Sequence, residues 1–345
     1  MTQSQDPPPT DAPVEDGAVD EQHPKIDESN SDDASADAQP DAGSDDSGDE
    51  PRPSSRWTKR KVIVASGVAG SAVVAIVLIA ILIVTANKSI PTYTIGVLTD
   101  EPGINFQDQP TTLRSGFEIS MYRWMADFTE PRFNYEEREL TIASRDFAIN
   151  TNNSAAVDFV VASYTITDDR LRRMKFAGPY LFTQQGVLVR RSGLLSTIQS
   201  PAQLSGRKVC AQAGSTSSAA LRALNGVNVV EQTGLSQCIV ALQSGEVDAV
   251  STDQILLKGY AAQLGNDYIA PNEVLFGPID SYGIAVKKDD MASCLALTER
   301  IKQFISNGNW DTFYAQNLGE AAPVGAKPDV NNLFACYLEP PPGAN

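Results

Sequence analysis

Histidine is almost missing from this chain. The 345 residues hold one, His23, in an N-terminal segment of unusual composition. Beyond it there is no imidazole to serve as base or metal ligand, which removes Ser-His-Asp and Cys-His catalysis and most zinc sites. Cysteine is absent until Cys210, after which come Cys238, Cys294 and Cys336. Basic residues are absent from the first 50 positions apart from Lys25, against sixteen Asp and Glu. The formal charge of -16 therefore belongs to that tail, since the other 295 residues carry 27 acidic and 26 basic side chains. A body so close to neutral lacks the basic stripe that nucleic acid requires. Large apolar side chains are nearly absent from residues 1–55. Such a segment cannot bury enough surface to offset its ordering entropy, and it is expected to be disordered and extended by self-repulsion.

Charge is then absent from residues 62–86, directly after Arg52, Arg56, Lys59, Arg60 and Lys61. A helix of that length spans about 37 Å at 1.5 Å per residue, enough for a hydrocarbon core of about 30 Å. The basic flank predicts a cytoplasmic amino terminus. The run is too long and starts too late for a cleaved signal peptide, and no cysteine follows it closely to make a lipoprotein. The layout expected is a disordered acidic cytoplasmic tail with a basic juxtamembrane segment (1–61), one transmembrane helix (62–86), and an extracytoplasmic domain (87–345) on the outer face of the cell membrane. The tail is either a solvated spacer or the docking segment for a cytoplasmic partner. An even cysteine count in an exported domain reads as two disulfides, with connectivity open.

From residue 91 the pattern alternates strand and helix. Strands are expected at 93–98, 140–143, 157–161, 186–189, 208–212, 227–230, 247–251 and 282–286. Helices are expected at 116–128, 216–224, 235–242 and 253–264, with a long one capped by Asp290 and stopped by Gly308. Phe117, Met121, Trp124 and Met125 recur at helical spacing and read as core. Alternation of this kind argues for α/β sheets with mostly parallel strands. The segment is long enough for two lobes, with crossovers near 182–185 and 280–282.

Three stretches carry candidate chemistry. The first is a loop of small and hydroxyl residues, Ala162 to Thr167, leaving an apolar strand and leading through Asp168-Asp169 to Arg170. Backbone amides, hydroxyls and one guanidinium suit a carboxylate beside an ammonium. The second, Ala213-Gly214-Ser215-Thr216-Ser217, opens a helix after a strand; either it only caps that helix or its free amides also meet an anion. It is not a Walker loop, because no lysine follows the glycine at the needed spacing. In the third, Val247-Asp248-Ala249-Val250-Ser251-Thr252-Asp253, Asp253 either caps the next helix or holds an ammonium. Asp248 reads as structural, and Arg172, Arg173 and Lys175 read as surface charges.

Together these stretches resemble the type II periplasmic solute-binding proteins for amino acids, and most of all the glutamate-binding proteins of actinobacterial ABC importers. The shared pattern is Val157-Asp158, then Thr165-Ile166-Thr167-Asp168-Asp169-Arg170, Phe176-Ala177-Gly178-Pro179-Tyr180, the Gly214-Ser215-Thr216 turn, Asp253 and Tyr282-Gly283-Ile284-Ala285-Val286. The resemblance covers about residues 92–318. It implies a two-lobed α/β Venus-flytrap fold, with one lobe of about 92–183 and 283–345 and the other of about 184–282. It implies a free amino acid as ligand and a membrane permease of an ABC importer as partner, with no catalysis, cofactor, metal or nucleic acid. Arg170 would clamp the α-carboxylate with Ser215 and Thr216. Asp253 would hold the α-ammonium, joined by Ser163 and Thr165. Asp100 and Phe106 match a first-strand loop that contacts ligand in relatives. Cys210 and Cys238 match the glutamate binders' cysteines and would form one bridge; Cys294 and Cys336 would form a second, tying the Pro-rich tail to the long helix. Glutamate heads a list that includes aspartate and glutamine. A second cation for a γ-carboxylate would come from Arg114, Arg145 or Lys258.

The chain departs from its likenesses at Ala162, where many have a polar residue, and in its membrane anchor. The anchor raises a second reading, an amino-acid sensor signalling through the tail. A third is an enzyme like the cyclohexadienyl dehydratases, with Glu101 or Glu118 as general acid; no paired-carboxylate spacing supports it.

Overall fold

The computed structural model describes residues 74–77, 89–319, 323, 325–333 and 335–338. Residues 74–77 are helical. The rest of the expected membrane span, and the acidic tail, lie outside the described residues. Among the described residues no helix is long and apolar enough to cross a membrane. The chain divides into two units, 1–76 and 77–345, and the second holds the whole α/β fold.

In the first half of that fold, β1 (Thr92–Val97) leads into a small antiparallel sheet of β2 (Asp100–Glu101), β3 (Asn105–Gln107) and β4 (Arg114–Ser115). Helix α1 (Phe117–Phe128) follows, then β5 (Asn134–Glu139), α2 (Arg145–Asn150), β6 (Phe159–Val160) and α3 (Asp168–Leu171). Strand β1 runs parallel to β5 on one side and β6 on the other. As the apolar spacing predicts, α1 buries Phe117, Met121, Trp124 and Met125. Phe117 meets the edges of Phe304 and Trp310 at 5.9 and 5.5 Å between ring centres.

The chain then enters β7 (Met174–Arg190), a 17-residue strand. The second half contains β8 (Lys208–Gln212), α4 (Thr216–Arg222), β9 (Asn228–Gln232), α5 (Leu235–Ser244), β10 (Ala249–Asp253), α6 (Gln254–Leu264) and β11 (Tyr268–Ile269). The return is β12 (Phe276–Lys287), followed by α7 (Met291–Ser306) and α8 (Asn309–Leu318). The strand order is β5-β1-β6-β12-β7-β10-β8-β9. The two parallel groups, β5-β1-β6 and β10-β8-β9, are thus joined by the antiparallel pair β7 and β12. One end of that pair matches Lys287 with Met174, and its middle matches Ser281 with Phe182 and Asp280 with Thr183. Beyond the middle, Gly186 to Val189 of β7 pair instead with β10. Two strands shared in this way give the α/β fold its two lobes.

Some elements differ from expectation. Residues 140–143 are not a strand: Thr141 caps a 3-10 turn at Ile142–Ser144, and the strand is the preceding polar β5. The expected strand at 186–189 is only the end of β7. Helix α8, absent from the sequence reading, starts at Asn309, directly after the Gly308 that stops α7. Asp290 caps α7 as expected, accepting from the Ser293 amide at 3.0 Å. Asp248 is structural, accepting from the Lys208 amide at 2.9 Å. Both disulfides are present, Cys210–Cys238 from β8 to α5 and Cys294–Cys336 from α7 to the C-terminal segment.

Candidate functional site

The loop after β6 is wholly buried from Val161 to Thr165. Its backbone is bent at Ser163, whose φ of 48° is left-handed and unfavourable for a residue with a Cβ. A buried carboxylate holds that bend. The Ser163 amide donates to Glu118 Oε1 at 2.7 Å, and Glu118 also accepts from the Tyr180 hydroxyl at 2.5 Å and the Asn105 amide at 2.9 Å. The Ser163 hydroxyl donates to Glu101 Oε2 at 2.6 Å.

Two guanidiniums flank the Tyr164 ring just beyond. Thr167 caps α3 by accepting from the Arg170 amide, and the Arg170 side chain folds back so that Nη1 donates to the Thr165 carbonyl at 2.6 Å. Its charged carbon lies 4.6 Å from the Tyr164 ring centre. Arg145, from α2, lies 4.1 Å from the same centre and donates to the Ala162 carbonyl at 2.7 Å. Arg145 is 2% exposed, and its Nε has no hydrogen-bond partner among the described residues. Burial and the neighbouring Arg145 hold Arg170 down at about 9, still above neutral pH, and burial lowers Arg145 as well.

The opposite lobe contributes two strand ends. After β8, Gly214 adopts φ 75° to turn the chain into α4. Ser215 is a true cap: its Oγ accepts from the Ser218 amide at 3.1 Å and donates to the Gln212 carbonyl at 2.7 Å. After β10, Asp253 precedes α6 without capping it by its side chain. Instead Oδ1 accepts from the Gln185 amide at 2.7 Å and Oδ2 from the Tyr282 hydroxyl at 2.5 Å. The same Gln185 amide donates to Asp280 at 2.5 Å.

These groups converge on one small cavity of about 10 Å³, narrow because the facing side chains nearly meet. Glu101, Arg145, Ser163, Thr165 and Arg170 line it from one side; Ser215, Thr216 and Asp253 line it from the other. Six of the eight residues expected to contact ligand thus line a single space. Asp100 and Phe106 do not reach it; they line a neighbouring cleft together with Gly234 and Tyr260. Of the three candidate cations, only Arg145 lies at the cavity. Arg114 pairs with Glu137 at 3.1 Å, and Lys258 lines a different cavity with Ile279. Gln185, Asp280 and Tyr282 were not singled out for the site. They sit in the crossover strands; Tyr282 opens a stretch shared with the resembled family, and Gln185 and Asp280 had only the extended character of their segments as a signal.

The electrostatics of Asp253 carry a pH dependence. Burial, then the adjacent Asp280, push its carboxyl up to about 7. Asp280 is also raised by burial. The empty pair therefore holds a proton below about pH 7, and an ammonium placed there expels it. Affinity for an ammonium-bearing ligand should be full above about pH 7 and fall below it, by up to about tenfold per pH unit. By the same sign, the empty fold gains stability on the acid side of that range and loses it as pH rises towards 7. Calorimetry in two buffers of different ionisation enthalpy should show proton release at about pH 6 and none at about pH 8.5. Buffer-independent heats throughout would mean that no cation meets Asp253.

The comparisons with known proteins agree with this geometry. The model of the bacterial extracellular solute-binding proteins, family 3, matches residues 93–320. The glutamate-binding protein GluB of Corynebacterium efficiens is 30% identical over 241 residues, 67% of this chain and 80% of that protein. The ABC transporter glutamine-binding protein GlnH of Bacillus subtilis is 28% identical over 227 residues, 65% of this chain and 80% of that one. Among solved structures, an ancestral arginine-binding protein bound to glutamine superposes with a TM-score of 0.60 at 27% identity, covering 67% of this chain and all of that one. These relatives are named as binding proteins, not as enzymes. With two thirds of its length matched and both lobes accounted for, the chain belongs to the bacterial extracellular solute-binding proteins, family 3.

Proposed function

We propose that this protein captures a free amino acid outside the cell, glutamate first, and delivers it to the permease of an ABC importer while residues 62–86 hold it to the membrane. The observation that carries the proposal is that Arg170 and Asp253, a cation and a carboxylate from opposite lobes, line the same cavity. A zwitterion satisfies both only when the lobes are closed, so it favours that state by its differential contacts. The relatives' names for glutamate and glutamine binders support the ligand class. The charge-free run with its basic flank supports the anchor.

Arg145 supports an acidic side chain on the ligand. It is a second buried guanidinium in the cavity with an unused donor. Its neighbour Glu101 does not simply cancel it, because burial and Glu118 push the Glu101 carboxyl well up and favour its neutral form. A carboxylate on Arg145 gains a charged hydrogen bond worth about 1.5–3 kcal/mol.

The test is a calorimetric and thermal-shift screen of the twenty amino acids on wild type and Arg145→Gln. Wild type should bind glutamate most tightly. The variant should lose about 10- to 100-fold for glutamate and much less for glutamine. Equal losses for both would remove Arg145 from side-chain reading. A wild-type protein that binds no amino acid would end the proposal.

A further inference from the structure

Asp100 and Glu101 form the two-residue strand β2, so their side chains point to opposite sides. Glu101 turns into the ligand cavity. Asp100 turns away and reaches the other lobe, where Oδ2 accepts from the backbone amides of Leu235 at 3.0 Å and Ser236 at 3.2 Å. These are the first two residues of α5. The helix cannot supply this cap itself, because its N-cap position is Gly234, which has no side chain. A carboxylate at a helix amino terminus satisfies orphan amides and meets the positive end of the dipole. Here the carboxylate and the helix come from opposite halves of the molecule.

Two further contacts lie in the same place. The Tyr260 hydroxyl, from α6, donates to the Asp100 carbonyl at 2.5 Å. Pro102 lies against Gly259 so closely that a Cβ there would sit 1.9 Å from the Pro102 carbonyl oxygen. The absence of a side chain at residue 259 is what lets α6 approach the loop. Helix α5 is itself held to its sheet by the Cys238–Cys210 bond, so the capped end is fixed within its lobe.

We infer that Asp100 is the latch of the closed state: it borrows the open end of α5 as its partner, and it sets how readily the lobes close without touching the ligand. It is a positioning residue. Its effect follows from population arithmetic: the apparent dissociation constant is the intrinsic one divided by the fraction of molecules able to close. Weakening the latch therefore weakens every ligand by one common factor, and ratios between ligands stay unchanged. A residue that touched the ligand would alter those ratios.

The inference rests in part on the amino-acid reading above, and the experiment separates the two. Full-length wild type, Asp100→Ala and Asp100→Asn are compared in detergent with glutamate, glutamine and aspartate as probes. Asparagine caps a helix about as well as aspartate, whereas alanine does not, at a cost that corresponds to about a 2- to 30-fold change. The expected result is an affinity loss of that size in the alanine variant, equal for all three probes and seen mainly as faster release. Asp100→Asn should stay close to wild type. Distance measurements between spin labels on the two lobes of the ligand-free protein should show the alanine variant more open. Altered ratios between probes would overturn the latch in favour of ligand contact. A lower melting temperature with unchanged affinity and unchanged label distances would overturn it in favour of a purely structural cap. If wild type binds none of the probes, the ligand reading fails while the label distances still decide the latch.

Discussion

Replacing Arg170 with alanine should weaken amino-acid binding by a factor between about 30 and several thousand, the equivalent of about 2–5 kcal/mol for truncating one partner of a buried charged contact. Three features put the effect at the large end. The guanidinium is 8% exposed, so solvent cannot replace it. Its Nη1 bond to the Thr165 carbonyl at 2.6 Å and its seat on the Tyr164 ring fix its direction before any ligand arrives, so little rotamer entropy is lost on binding. Truncation also leaves that buried carbonyl without its donor. Arg170→Lys is the informative companion: it keeps the charge and loses the planar fork, so it should recover only part of the affinity. Isothermal calorimetry with glutamate reads both variants. An alanine variant that binds like wild type would remove Arg170 from the site.

The second large effect is on stability. Converting Cys294 and Cys336 to alanine should cost about 4 kcal/mol on the chain-entropy estimate, because the bond closes a separation of 42 residues. For a domain of this size that corresponds to a fall in melting temperature of about 8–15 °C. The bond joins α7 to the C-terminal segment, where Cys336 is buried and its carbonyl accepts from Lys175 at 3.2 Å. None of these atoms lines the ligand cavity, so affinity should hold at temperatures where the variant is folded. The Cys210–Cys238 pair should give a slightly smaller loss, because it closes 28 residues. It should also disturb binding, because it ties β8, which leads to Ser215 and Thr216, to the latched helix α5. Scanning calorimetry with and without reductant provides the check. A double alanine variant that melts like wild type would show that the cross-link adds nothing to the fold.

Much of the fold was readable where the signal is local. The bounds of β8, the Asp290 cap and the buried face of α1 follow from alternation, cap chemistry and helical spacing. Strand β5 was missed because Asn-Tyr-Glu-Glu-Arg-Glu carries no apolar alternation; it forms because β1 supplies the partner. Strand β7 was seen only in part, because Gly178-Pro179 and Gln184-Gln185 interrupt its pattern, the second of them where it passes between lobes.

The site divides in the same way. Arg170, Ser215 and Asp253 stand at the ends of strands or the starts of helices, positions that the chain marks by itself. Sequence alone therefore determined the α/β alternation, the charge-free run, the acidic tail and a short list of polar groups at strand ends. Only the tertiary structure decided that Arg145 joins Arg170 on Tyr164, that Asp253 shares Gln185 with Asp280, and that Asp100 caps a helix 135 residues away instead of facing the cavity. Periodicity and capping are properties of neighbours along the chain. A charge acquires its partner from whichever distant segment packing brings to it, and nothing in its own neighbourhood records which segment that is.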